Sequence, residues 1–193
     1  DRMLRDVLPS LARLLAGLAV ALVAGIGIGV LLGTNRVLRA TLEPVFEFLR
    51  AIPPPALVPV LILLAGIGDT MKVLVIVSGC IWPILLNTVE GVRGADEVLG
   101  DTCRSYRVTG TLRLRTFVLR SASPQIMAGA RQALSIGLIL MVISELKAAN
   151  EGLGFTVREF QTGFQIPEMW SGVLLLGIIG VVLSLLFQLV ERR

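Results

Sequence analysis

Hydrophobic residues run in long blocks along this chain, separated by short charged segments. A helix needs about 20 apolar residues to cross the hydrocarbon core of a bilayer. Five stretches meet or approach that length: Ser10–Leu32, Val45–Gly66, Met71–Val89, Ile126–Leu146 and Trp170–Val190. The second is the least regular, because Pro53, Pro54, Pro55 and Pro59 lie inside it and Arg50 sits near its start. It reads as one kinked pass, with neighbouring helices satisfying the carbonyls that proline frees and Arg50 reaching the interface.

The first pass carries a second pattern. Gly17, Ala21, Gly25, Gly29 and Gly33 recur every fourth residue, leaving one helix face almost bare, and Gly129, Ala133 and Gly137 repeat the device on the fourth pass. Small residues at this spacing let helix backbones approach closely in lipid. Packing within one subunit and contact between subunits are both open readings of it.

The arginines set the orientation, because cytoplasmic loops of membrane proteins are enriched in them. Glu90–Arg120 holds six (Arg93, Arg104, Arg107, Arg113, Arg115, Arg120) against four acids, so it is placed in the cytoplasm. The Arg36/Arg39 turn and the Arg192–Arg193 tail then also fall inside, and Lys147–Met169 with Glu151, Glu159 and Glu168 falls outside. Five passes with a cytoplasmic C-terminus put Asp1 outside, which predicts a further N-terminal helix ahead of this chain.

Composition sharpens the class. Of 193 residues 54% are hydrophobic and only 17% charged, with a mean hydropathy of +0.83. A soluble domain of this size carries far more polar surface, so one integral membrane domain over residues 1–193 is expected. The formal charge of +4 sits between apolar stretches rather than in one stripe, which argues against nucleic acid. With no histidine, histidine acid–base chemistry is excluded and most transition-metal sites are disfavoured. Cys80 falls in an apolar stretch and Cys103 in a charged loop, at different depths, so they are not expected to pair.

Glu90–Arg120, within a loop read as residues 90–124, is patterned. Val98, Leu99, Thr102, Cys103 and Tyr106 recur at three- and four-residue spacing, with Glu97, Asp101, Arg104 and Ser105 opposite. This predicts a short amphipathic helix. A break near Val108–Gly110 follows, then a basic stretch, Leu112–Leu119, leading to Pro124 and the fourth pass. Lying on anionic headgroups and docking on a protein partner are both compatible with that pattern.

Charges in or near the passes need partners; Arg13, Arg50, Arg131, Glu145 and Lys147 qualify. Arg50 and Arg131 read as interfacial. Glu145 with Lys147, beside a Gly152–Gly154 turn, reads as an end cap and ion pair or as part of an outer gate with Phe155. Gly154–Gln165 reads as a short folded-back helix whose Phe155, Phe160 and Phe164 face the path or the lipid boundary.

The loop resembles the cytoplasmic coupling loop of permease subunits of binding-protein-dependent ABC importers. The family pattern is Glu-Ala-Ala, three residues, Gly, nine residues, Ile, one residue, Leu-Pro. Here the frame is Asp101-Thr102-Cys103, then Arg107, Phe117 and Leu119-Arg120, with spacing kept and signature residues changed. Phe48-Leu49-Arg50-Ala51-Ile52-Pro53-Pro54, Pro83-Ile84-Leu85-Leu86-Asn87-Thr88, and Ser144-Glu145-Leu146 followed by Gly152-Leu153-Gly154-Phe155 resemble the sulfonate, taurine, nitrate and bicarbonate branch. Leu11-Ala12-Arg13 and Glu191-Arg192-Arg193 fit as well.

The resemblance implies an all-α helical bundle of the type I importer permease kind, with five transmembrane helices here, a coupling helix, and no catalytic site of its own. It implies a second permease subunit, two cytoplasmic ATP-binding subunits that hold ATP and Mg, and an extracytoplasmic binding protein, all at a bacterial inner membrane. Asp101–Thr109 would be the coupling element, with Val98, Leu99, Thr102, Cys103 and Tyr106 as anchors and Arg104 and Arg107 able to pair with partner acids; Ser105 and Val108 fall in the same segment. Arg107 stands where the family has glycine. Either the turn moves, to Gly110 for instance, or the partner compensates. The lost consensus suggests pairing with a different permease; divergence within a homodimer is the alternative. A small organic anion such as a sulfonate is the expected substrate, with nitrate, bicarbonate and pyrimidines as alternatives. A secondary transporter is the rival from another class; it lacks a mid-membrane acid to carry a coupling ion.

Overall fold

A computed structural model of the protein describes residues 2–191, with side chains described from residue 6 to residue 189. The described residues form helices and no strands. The first helix, α1 (Arg2–Thr34), passes through Asn35 alone into α2 (Arg36–Ala51). Asn35 makes that corner by accepting a hydrogen bond from Leu38 N on its side chain at 3.0 Å, an N-cap that satisfies one of the free amides of the new helix.

A 3₁₀ turn (Pro54–Leu57) and α3 (Val58–Ala65) follow, then α4 (Asp69–Arg93), α5 (Glu97–Ser105) and α6 (Gly110–Arg113). A single π turn (Leu114–Val118) joins α6 to α7 (Leu119–Ala148); α8 (Leu153–Thr162) and α9 (Ile166–Glu191) complete the chain.

The glycine stripe of α1 lies against α4. A Cβ on Gly17 would stand 2.6 Å from Ile76 Cγ2, on Gly25 2.8 Å from Ile84 Cγ2, on Gly29 2.6 Å from Thr88 Cβ, and on Gly33 2.7 Å from Val92 Cβ. Each partner lies 59 residues further on, so the two helices run parallel and in register. Helix α7 packs on α4 in the opposite sense: Gly79 faces Leu140 while Gly91 faces Ala122, and Gly129 faces Pro83 and Ile84 while Gly137 faces Cys80. Helix α4 is therefore the middle of a three-helix core. Leu14, Met71, Val75, Ile76, Cys80, Ile84, Ala133 and Met141 are fully buried there. Close backbone approach in lipid gains through dispersion and packing, since apolar side chains gain little by leaving lipid for protein.

Parallel α1 and α4 require the chain between them to recross the full thickness. The connection does so as a broken span: α2 and the Pro54–Ala65 segment meet at 80°. This differs from one kinked pass over Val45–Gly66. The helix starts earlier, at Arg36, and stops at Ala51, because Ile52 and Pro53 are extended (ψ 118° and 125°), as residues preceding proline prefer. Pro54 lies against Gly79, near the middle of α4. Arg50, read as interfacial, consequently sits about one helical turn from a mid-depth break, paired with Glu47 at 2.7 Å.

The fourth pass is also longer than its apolar stretch. Gly110–Ala148 runs as one helical span of 39 residues, beginning well before Ile126. Pro124 is accommodated inside it: the carbonyl of Arg120, which loses its usual amide partner to the proline, accepts the Ser123 hydroxyl at 2.9 Å. With α9, four helices among the described residues are long and apolar enough to span, and the bent pair makes a fifth. Only 6% of the most apolar window of α9 is buried in this chain, so its surface is left for lipid or another subunit.

Candidate functional site

Two polar sites lie at opposite ends of the core. At the end away from the arginine-rich loop, the starts of α1 and α4 meet the end of α7. Arg13, 3% exposed, points its guanidinium between three carboxylates. Its Nε donates to Asp69 Oδ1 at 2.7 Å, one terminal nitrogen to Glu145 Oε1 at 2.9 Å, and the other to Glu151 Oε1 at 2.7 Å. Glu145, fully buried, also accepts the Ser10 hydroxyl on both oxygens (2.8 and 2.9 Å) and Gly154 N on Oε2 (2.9 Å). Ser10 Oγ in turn accepts Leu153 N at 2.9 Å. Lys72, itself buried, reaches Asp69 at 3.4 Å, and the Thr156 hydroxyl donates to Asp6.

These partners are spread over four helices and the loop before α8, so the cluster fastens α1, α4, α7 and α8 at one point. Removing two charges from water is costly, and mutual pairing with filled lone pairs is what permits it. Gly152 is needed for the fit: its φ is +115°, and a Cβ there would stand 2.6 Å from the Glu145 carboxylate. Gly154 and half-buried Phe155 lie on the same turn.

This corrects the pairing of Glu145 with Lys147. Residues two apart on a helix point to nearly opposite sides, so Lys147 is exposed while Glu145 faces inward. Ser10, Asp69, Lys72 and Glu151 were not singled out from the sequence. Arg13 was the available signal: a cation in an apolar helix needs an acid, and the acids at the ends of two other apolar stretches were candidates. Arg131, read as interfacial, lies two residues from Gly129, which faces Ile84, so it stands near mid-depth on the exposed side of α7.

At the other end, α5 starts on Asp96, whose Oδ1 accepts Val98 N at 2.8 Å. The helix touches its own subunit through Gly100, which lies over the Phe117 ring of the π turn. The apolar stripe faces outward: Val98 is 72% exposed, Leu99 52% and Tyr106 80%. Thr102 is also exposed and Cys103 half-buried. Arg104 pairs with Asp101 on the same helix at 2.8 Å, and Ser105 Oγ donates to Asp101 O at 3.0 Å.

Arg107 terminates α5. Its N donates to Arg104 O (3.0 Å) and Val108 N to Cys103 O (2.8 Å), the paired bonds of a Schellman cap with Arg107 at φ +54°. The turn has not moved to Gly110; instead Gly110 adds a second left-handed residue at φ +60°, after exposed Thr109. A left-handed non-glycine residue costs about 1 kcal/mol. At the far end Phe164 closes α8 in the same way, at φ +55° and 88% exposed, while Phe155 and Phe160 are half-buried.

A family model for the binding-protein-dependent transport system inner membrane component matches residues 5–193. The chain belongs to that family. Among proteins to which this importer-type permease is similar, the bicarbonate transport system permease protein CmpB of Synechococcus elongatus is 31% identical over 188 residues, 97% of this chain and 68% of that one. The taurine transport system permease protein TauC of Escherichia coli is 30% identical, covering 95% of this chain and 67% of that one. The putative aliphatic sulfonates transport permease protein SsuC of Bacillus subtilis is 29% identical over 92% of this chain and 65% of its own. In fold, the permease resembles a chain of the MetNI methionine ABC transporter in an inward-facing conformation, with a TM-score of 0.81 at 21% identity, covering 99% of this chain and 95% of the other. The membrane-spanning, all-helical reading of the chain agrees with both comparisons.

Proposed function

We propose that this permease forms half of the substrate path of an ATP-driven importer and receives the power stroke through Asp101–Thr109. The observation that carries the reading is the orientation of α5. Its buried side is a glycine against Phe117, and its apolar side, Val98, Leu99 and Tyr106, points away from the subunit. An amphipathic helix with its apolar face outward fits a groove on a partner. In this reading α5 and the Arg107 cap lie in the cytoplasm, with the C-terminus on the same side. Each α5 docks on one of two ATP-binding subunits, which hold the ATP and Mg. A second permease subunit, a copy or a different chain, completes the path, and an external binding protein delivers substrate at the Arg13–Glu145 end.

Closure of the ATP-binding subunits would push α5, and the rigid Gly110–Ala148 span would carry that push to the cluster at its far end. The substrate is proposed as a small organic anion, a sulfonate first, because the relatives' names span sulfonates, taurine and bicarbonate.

The test is purification from native membranes with a C-terminal tag, followed by mass identification of retained subunits and assay of ATP hydrolysis. Expected are an ATP-binding subunit in the complex and loss of turnover on Arg107→Glu. A complex without any ATP-binding subunit would overturn the coupling reading; a complete active complex containing this chain as the sole permease would exclude the mixed pair.

A further inference from the structure

We propose that a recess beside α5 is a binding site for a phosphate group, supplied by the headgroup of an anionic phospholipid. The recess, about 790 Å³, opens where α1 and α4 end, and five arginines line it: Arg36, Arg39, Arg93, Arg104 and Arg113. One carboxylate, Glu97, shares the lining. Among the described residues Arg36, Arg39, Arg93 and Arg113 make no ion pair, and Arg104 alone is neutralised, by Asp101. Gathering like charges around one space is unfavourable unless an anion occupies it.

Arg113 gives the second indication. Its Nε is buried and without a hydrogen-bond partner, and its guanidinium lies 5.9 Å from the centre of the Phe117 ring. Buried N–H groups in folded proteins are almost always satisfied, so a lone one marks an absent acceptor. The planar guanidinium fork matches phosphate oxygens, and several forks on one centre favour a phosphate over a carboxylate.

Depth selects the source. The recess lies at the ends of two membrane-crossing helices, where phospholipid phosphates stand, and Val92, Leu114, Phe117 and Val118 form an apolar wall beside the arginines. A lipid uses both the charged and the apolar walls; a free phosphate uses only one. Bound there, a phosphate would bridge α2 and α4 to α5 and α6, tying the docking helix to the bundle. Only that effect on ATP turnover rests on the coupling reading above; binding itself does not.

The full-length permease is purified in detergent, exposed to phosphatidylglycerol, and weighed intact by native mass spectrometry. The parent chain is expected to retain the lipid, and the Arg36→Gln/Arg39→Gln/Arg113→Gln variant to lose at least about tenfold in retention, the loss of one charge-assisted hydrogen bond. Should that variant fail to fold, Arg113→Lys, which keeps the charge and removes the buried Nε–H, carries the comparison and is expected to weaken retention several-fold.

A parallel arm places the permease–ATPase complex in phosphatidylcholine nanodiscs, with phosphatidylglycerol or inorganic phosphate added. Turnover that responds to phosphatidylglycerol in the parent and not in the triple variant supports the lipid site. A response to inorganic phosphate alone overturns the lipid assignment in favour of a soluble anion. Equal lipid retention by parent and variants, or protection of the recess by a carboxylate of the ATP-binding subunit in cross-linking, overturns the site. Lipid retention without any associating ATP-binding subunit would leave this site standing and remove the coupling reading alone.

Discussion

The two ends of this helical bundle treat charge in opposite ways. At one, Arg13 and Glu145 are buried, and the Glu145 carboxylate is filled by Arg13, Ser10 and the Gly154 amide. At the other, Asp101 and Arg104 pair in the open, and four more arginines around one recess make no ion pair among the described residues. The first arrangement is complete within the chain and therefore acts as a fastening. The second is incomplete within the chain and therefore points outward, to partners.

The comparison is broken most forcefully at Glu145. Glu145→Ala should leave Arg13 as a buried charge with lost compensation and cost about 3–5 kcal/mol, seen as a large fall in the thermal midpoint in detergent. Lys147→Ala, two residues on and exposed, should move it by no more than about 0.5 kcal/mol. Equal effects would return Glu145 to an ordinary helix end. A joint replacement, Arg13→Met with Glu145→Leu, is expected to recover part of the loss because neither half of the buried pair is left alone; Glu151, which also loses Arg13, is exposed.

The outward-facing end should respond in binding rather than in folding. Val98→Asp with Leu99→Asp is expected to leave the midpoint unchanged while costing about 2 kcal/mol or more of ATPase affinity, the effect of spoiling an interface anchor. A drop in midpoint without loss of co-purification would mean that the stripe packs on its own subunit. Between the ends, Gly29→Leu should cost about 1–3 kcal/mol by overpacking against Thr88. Gly27→Leu, with nothing within 4 Å of its Cβ, should cost nothing. Smallest of all, Arg107→Gly should stabilise the α5 cap by about 1 kcal/mol, read from the midpoint of the isolated permease.

Much of this architecture could be read from local pattern. Apolar length marked the spans, and spacing placed Val98, Leu99 and Tyr106 on one side of a helix. What the pattern could not supply was the partner. Glu145 was matched to its sequence neighbour because the true partners, Ser10 and Arg13, lie 135 and 132 residues away. The second span is legible as a proline-interrupted pass but not in its bounds or angle, for a related reason. Proline predicts that a helix will break, but neither the 80° angle nor the place of Pro54 beside Gly79 of α4 follows from proline alone. Arg107 shows the converse: the resemblance sets it where the family has glycine, and the hydrogen bonds of the cap hold a left-handed residue there despite the side chain.

The constant 59-residue step between α1 and α4 also bears on how the protein is made. The glycine face of α1 emerges from the ribosome long before the side chains that cover it. At about 5–20 residues per second the interval is about 3–12 s. Meanwhile α1 rests in the membrane with a bare backbone groove, and Arg13 waits 56 residues for Asp69 and 132 for Glu145. The newborn helix therefore depends on lipid or on an insertion partner to shelter a cation whose counter-charges have yet to be translated.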